Sequence, residues 1–141
     1  MLALLEETVD VLPSDLESRL AALEALADEL RIRRIAVRDG QRIVLVDHRE
    51  IDWVESAGNH VVIHCGARTY VIRETLEHVR LELGASFLRI RRDVLVNAVA
   101  VCELHPLFRG EFRLALRGGA HVQSTRRFRR ELDALIGRGA R

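Results

Sequence analysis

After Arg34 the hydrophobic spacing of this chain changes from helical to two. That change bounds the fold more tightly than any other feature. The stretch IAVRDGQRIVLV sets β-rich runs on either side of Asp39-Gly40, a strong hairpin signal. IDWVES then leads through Ala57-Gly58-Asn59 into HVVIHC, and Gly66-Ala67 turns the chain again into RTYVI. Further on, EFRLAL and HVQS flank Gly118-Gly119 as another hairpin. Strands do not alternate with long helices, which argues against a doubly wound parallel fold. No repeat of solenoid length is present.

Helical spacing appears in four places. Residues 14–33, SDLESRLAALEALADELRIR, carry Leu16, Leu20, Leu23, Ala27 and Leu30 as a heptad stripe. Ser14 and Glu17 have capping-box spacing, with Pro13 just before. Such a helix packs on its own domain or brings two chains together, and the sequence leaves both open. Leu2, Leu5, Val9 and Leu12 make a shorter stripe before Pro13. Residues 74–83, ETLEHVRLEL, put Leu76, Val79 and Leu83 on one side of a short helix stopped by Gly84. A last helix is predicted from about Arg126 to Ile136, capped by Ser124 or Thr125 and burying Phe128, Leu132, Leu135 and Ile136. Between the last two helices, FLRIRRDVLVN and its apolar continuation to Val101 read as strand, with His105-Pro106 as the break. The expected architecture is mainly β (α+β). It has small antiparallel sheets and two short helices over residues 35–138, preceded by a helical linker or dimerisation segment over residues 1–34.

Charge is unevenly placed. The net charge is +1, yet residues 1–34 carry −4, residues 35–86 carry −2 and residues 87–141 carry +7. All 22 of the Lys/Arg positions are arginine. A basic block on an otherwise acidic chain points to a polyanionic partner or to a solvated face. No stretch approaches the roughly 18 apolar residues of a membrane span. The start, MLALLEETVDVL, lacks the basic region of a signal peptide, so a cytoplasmic location is expected. Cys65 and Cys102 each stand inside an apolar stretch and read as reduced core thiols.

Motifs of catalysis are missing. There is no P-loop, no G-x-G-x-x-G after a strand and no G-x-S-x-G. His60 and His64 share a strand face, but no third ligand has suitable spacing for zinc. Asp47, Glu50, Asp52 and Glu55 read as the solvent face of a strand region. Neither an enzyme, a cofactor nor a metal is expected.

The arginines remain. As a strand, FLRIR sends Arg89 and Arg91 to one face and Leu88 and Ile90 to the other, while Arg92 and Asp93 disturb the alternation as at a bend. A second cluster, Arg126, Arg127, Arg129 and Arg130 around Phe128, sits at a helix start, where backbone N–H groups also favour an anion. Two arginine clusters on a rigid scaffold suit phosphates, and arginine pairs bidentately with guanine in a major groove. Aromatic residues are only 4% of the chain, too few for the stacking surfaces of single-strand or RNA binders. Duplex DNA is the better match.

At this point the chain resembles the LytTR family, the β-rich DNA-binding output domain of many bacterial response regulators, over about residues 35–138. The resemblance rests on IDWVESAGNHVVIH, the helix TLEHVRLEL, FLRIRRDVLVN and VQSTRRFRREL. It implies an elongated fold of small antiparallel sheets whose loops enter successive major grooves. It also implies base-reaching roles for His60, in the turn that holds Asn59, for Arg92 and for Arg126. Arg89, Arg91 and Arg127 become phosphate contacts or orienting neighbours, and Arg130 joins them on the phosphates. Asn97 is expected to satisfy backbone groups. Arg91 stands where the family commonly has histidine and Asp93 where it has serine or threonine; Asp93 would repel a phosphate unless an arginine pairs with it. The implied protein is a sequence-specific transcriptional regulator that binds paired repeats as a homodimer. Its input would be another domain or a sensor kinase partner, since the family's receiver domain has no counterpart in these residues. The alternative is a non-catalytic protein-interaction module that uses the basic face or the leucine stripe.

Overall fold

A computed structural model describes residues 13–30 and 32–137 of the chain. The chain divides into two compact units, residues 1–31 and 32–141. The first contains helix α1 (Pro13–Leu30). Pro13 lies in its first turn, where a missing N–H breaks no helical bond, so Ser14 is inside the helix and is not its cap. The helix ends at Leu30, before the Arg33 that its periodicity predicts. Leu20 and Leu23 of the stripe are 56% and 62% exposed. The shorter stripe, Leu2 to Leu12, lies outside the described residues.

In the second unit every strand pairing is antiparallel. Strands β1 (Arg34–Asp39) and β2 (Arg42–Asp47) form a hairpin. Asp39 pairs with Arg42, so the two turn residues are Gly40 and Gln41, one position later than the Asp39-Gly40 turn expected, and Gly40 takes φ 64. A five-stranded sheet follows, built from β3 (Trp53–Ala57), β4 (His60–Cys65), β5 (Arg68–Ile72), β6 (Phe87–Arg91) and β7 (Val94–Asn97) in the order β5-β4-β3-β7-β6. Helix α2 (Leu76–Leu83) connects β5 to β6. A three-stranded sheet, β10-β9-β8, comes from β8 (Val101–Pro106), β9 (Phe112–Leu116) and β10 (His121–Gln123). Helix α3 (Arg129–Ile136) closes the described chain, and Gly137 caps it.

The five-stranded sheet is covered on both faces. On one face Val54, Val61, Ile63, Phe87 and Leu95 pack with Ile35, Val37 and Val46 of the hairpin and with Leu76, Val79 and Leu83 of α2. On the other, Ile90, Val94 and Val96 pack with Phe112, Leu114, Leu116 and Val122 of the small sheet and Leu132 of α3. Strand β7 lies between β3 and β6, and all four of its residues are buried. Two-sided burial is why VLVN shows no alternation, as for any strand covered on both faces.

The apolar continuation to Val101 is not one strand. Asn97 ends β7, its Oδ1 accepts from Val99 N at 3.2 Å, and a 3-10 turn (Ala98–Ala100) carries the chain into the other sheet. Strand β8 then runs through His105 to Pro106, so the expected break falls at the strand's end. The last helix also differs: a 3-10 turn (Arg126–Phe128) precedes α3, and neither Thr125 nor Phe128 caps with its side chain. Ser124 is fully buried, and its Oγ accepts from Phe112 N at 3.0 Å. Leu132 is buried, whereas Phe128, Leu135 and Ile136 are half-buried. Cys102 is exposed and Cys65 half-buried, so neither thiol lies in the core proper. Among the described residues no helix is long and apolar enough to cross a membrane.

Candidate nucleic-acid interface

The FLRIR strand carries one irregularity. Leu88 pairs with Val96 and Arg89 with Leu95, but the next pair is Arg91 with Val94, which leaves Ile90 as an extra residue. Directly paired residues share a face, so this bulge breaks the alternation. Arg89 shares the Leu95 face, toward the hairpin and α2, and Arg91 shares the Val94 face, toward the small sheet. The two arginines therefore do not lie together, contrary to the alternation of the sequence. Leu88, Ile90, Val94 and Val96 do anchor the stretch on one core.

Arg89 is turned inward to work on its own loop. Its Nε and Nη2 donate to the Arg92 carbonyl at 3.1 and 2.5 Å, and its Nη1 lies 3.5 Å from Glu77 Oε2. Arg80 also holds Glu77, with Nη2 2.6 Å from Oε1, and this hydrogen bond chiefly lowers the Glu77 pKa from its ordinary value. A fixed negative charge beside Arg89 keeps its guanidinium aimed at the carbonyl. Ser56 N donates to the Asp93 carbonyl at 2.8 Å, which ties the 92–93 turn to the end of β3. Asn59 and Arg92 thereby meet in one open groove of about 770 Å³, with Arg73, Arg89 and Asp93 also in its wall. His60 does not line this groove; it opens β4 opposite Ala57.

Arg91 and Asp93 pair, Nε to Oδ1, at 3.5 Å, both side chains about half exposed. That is the partner Asp93 needs beside a polyanion. Among the described residues neither Arg73 nor Arg92 has an ion-pair partner, and both are exposed.

The second cluster stands apart from the groove but is joined to the bulge. Thr125 N donates to the Ile90 carbonyl at 2.9 Å, giving the extra residue's backbone a partner. Arg126 and Arg127 follow on the 3-10 turn, and Arg130 sits in the first turn of α3; all three are exposed. The Arg127 guanidinium lies 5.6 Å from the Phe128 ring centroid, a cation–π distance. Leu132, without measurable exposure, pins the helix that carries the cluster.

Other polar residues of the sequence belong to the scaffold. Asp52, expected on a solvent face, is buried: its Oδ1 accepts from Arg117 Nε at 2.6 Å and its Oδ2 from Gly66 N at 2.9 Å. His64 stacks on Trp53 at 3.9 Å between ring centroids, and its Nε2 lies 3.2 Å from Glu55 Oε1. No group of three metal-ligating side chains occurs among the described residues. Sequence reasoning missed Arg73, which the groove includes; its only signal was its place between the last residue of β5 and the Thr75 cap of α2.

The LytTr DNA-binding domain model matches residues 41–137. The chain belongs to this family. The match begins in the first hairpin turn, so β1 precedes the matched span while giving Ile35 and Val37 to the core. The chain is 27% identical over 104 residues to the sensory transduction protein LytT of Bacillus subtilis (strain 168), covering 73% of this chain and 43% of that protein. It is 28% identical over 106 residues to LytT of Bacillus anthracis, covering 74% and 43%. The chain thus spans less than half the length of these relatives. A solved LytTr DNA-binding domain from Bacillus cereus has the same fold, with TM-score 0.67 and 17% identity, covering 74% of this chain and 97% of that one. The LytTr assignment accounts for the antiparallel sheets and short helices and makes the chain a DNA-binding domain.

Proposed function

We propose that this chain binds duplex DNA sequence-specifically as a transcriptional regulator, through loops that enter major grooves. The observation that carries the reading is the bulge at Ile90. It places Arg92 in the groove with Asn59, and it fastens the Arg126 cluster through Thr125. In this reading Arg92, Arg126 and His60 touch base edges, and Asn59, in the turn before His60, shares the groove with Arg92. Arg127 and Arg130 hold phosphates, and Arg89 orients the Arg92 loop. Arg91, paired to Asp93, is a peripheral contact. No catalytic step, cofactor or metal enters.

Two protomers would sit on paired repeats about one helical turn apart, roughly 10 bp. The exposed Leu20, Leu23 and Leu26 of α1 support self-association through that helix. A cytoplasmic location, and an input from a further domain or a sensor kinase, complete the proposal.

The test is titration of duplex fragments at rising salt. The arginines at 73, 92, 126, 127, 129 and 130 have no internal carboxylate partner among the described residues. If each protomer neutralises about six phosphates, the logarithmic salt slope is near −5 per protomer. A flat response, or equal affinity for all duplexes, favours the protein-interaction module instead.

A further inference from the structure

The turn Phe108–Gly110, between β8 and β9, has a form its sequence does not explain by folding needs. Phe108 is 90% exposed, the highest value among the large exposed hydrophobic side chains described. Arg109 has φ 62 and ψ 33, the left-handed region, and is the one non-glycine with positive φ among the described residues. Glycine is the residue that adopts this conformation without strain, and strained positions held by their surroundings cluster at functional surfaces. Here the turn is held: Leu107 N donates to the Glu111 carbonyl at 2.8 Å. The turn also lies on the second arginine cluster. A Cβ on Gly110 would stand 3.6 Å from Arg126 Cγ and from Arg129 Cδ and Nη1.

The result is an uncovered aromatic ring next in the chain to Arg109, on a turn whose Gly110 lies against Arg126 and Arg129; none of the three arginines has an internal carboxylate partner among the described residues. A partner for this surface must offer apolar area between closely spaced negative charges. The sugar–phosphate edge of a duplex does so, with deoxyribose carbons between successive phosphates. We infer that the Phe108–Gly110 turn is a third DNA-contacting element, in which the Phe108 ring packs on deoxyribose while Arg109 and Arg129 hold the flanking phosphates. This inference rests on the DNA-binding reading and adds Phe108 and Arg109, which that reading does not use.

The test compares Phe108→Ala, Arg109→Gly and Arg126→Ala by fluorescence anisotropy on a duplex selected from a random pool, with sedimentation and urea unfolding alongside. Phe108→Ala should weaken binding roughly tenfold, the scale of one lost aromatic burial, with the salt slope unchanged because no charge is removed. Arg109→Gly should lower the slope by about one while the unfolding midpoint stays level or rises, since glycine relaxes the left-handed position. If Arg126→Ala weakens binding but Phe108→Ala does not, the ring is not on DNA and the broader reading stands. If Phe108→Ala changes the sedimentation of the protein alone, the ring is a protein contact and the inference is overturned. If the unaltered chain binds no duplex, the inference falls together with the DNA-binding reading.

Discussion

Replacing Asn97 separates the scaffold from the interface. The side chain is 1% exposed, its Nδ2 donates to Ile51 O at 2.9 Å and His48 O at 3.2 Å, and its Oδ1 accepts from Val99 N at 3.2 Å. In Asn97→Ala the His48 carbonyl keeps a donor, Ile51 N at 3.2 Å. The Ile51 carbonyl, on a residue without measurable exposure, loses the one side-chain donor recorded for it. A buried group left unpaired costs about 1–3 kcal/mol. Loss of the cap on the Ala98–Ala100 turn adds about 1 kcal/mol. The total is about 3 kcal/mol, or roughly 15 °C in Tm for a domain of this size. A folded population survives at a native stability of about 5–15 kcal/mol. Asn97→Asp keeps the volume and the cap but sets a carboxylate against two carbonyl oxygens, so it should destabilise more than alanine. The assay is urea unfolding followed by the fluorescence of Trp53, the only tryptophan, which stacks on His64. A loss under about 1 kcal/mol for alanine, or an aspartate variant as stable as the parent, would refute the pairing argument. Under conditions where both variants are folded, duplex affinity should match the parent, because Asn97 is sealed in the core.

Four further outcomes are expected. Arg92→Ala and Arg126→Ala should each weaken specific binding by about 1–3 kcal/mol and relax preference at one base position across a panel of substituted duplexes, whereas Arg130→Ala should weaken all duplexes alike. Leu23→Glu should convert a dimer to a monomer in sedimentation; a surviving dimer places the interface elsewhere. The Asp47 carboxyl is held down to about 2, chiefly by the Arg49 side-chain hydrogen bond and next by the Arg49 backbone N–H. A depressed carboxyl stabilises the fold above its ordinary value of 3.8, and that stabilisation fades as pH falls through 2. The Tm gap between the parent and Asp47→Asn should therefore hold above pH about 4 and close toward pH 2. Burial pushes the Cys65 thiol up to about 11, while Cys102 is exposed, so iodoacetamide at pH about 8 should label Cys102 at least about tenfold faster by mass spectrometry.

The hairpins turning at Gly40, Gly58, Gly66 and Gly118-Gly119 were legible because a glycine marks each turn between β-rich runs. The α2 helix was legible because Leu76, Val79 and Leu83 repeat at helical spacing, and all three are buried. The family was legible for the same reason, through ordered motifs that follow those elements. The bulge was not legible. FLRIR alternates without a flaw, and the extra residue is accommodated by a backbone bond from Thr125, more than thirty positions away. Nor did Asp52 announce its burial, since its partner Arg117 lies in a different sheet's turn. VLVNAVAV concealed a passage between two sheets because both ends of the run are apolar for one shared core, Val94 and Val96 from one sheet and Val101 from the other, and only Asn97 marks the exchange. Arg73 was invisible as part of the groove because Gly58, Asn59 and Arg92, which help complete the wall, come from two other connections.

The basic block of residues 87–141 holds arginines with two different fates. Arg89 and Arg117 donate to internal carbonyls or carboxylates, so their charge builds the scaffold. Arg92, Arg126, Arg127 and Arg130 have no such partner among the described residues and remain available to a polyanion. Asp93 decides the fate of the one in between. By pairing with Arg91 it neutralises a charge that the bulge has already turned away from Arg89, and it leaves Arg92 as the exposed cation contributed by this stretch to the groove. An exposed pair of this kind contributes little to stability, about 0–1 kcal/mol. Its effect is better sought in selectivity: a carboxylate at the rim penalises any docking that would bring a phosphate over Asp93 instead of over Arg92. The acidic residue that fitted a DNA-binding stretch least well then acts as a constraint on register, and the arginines beside it need not all touch DNA.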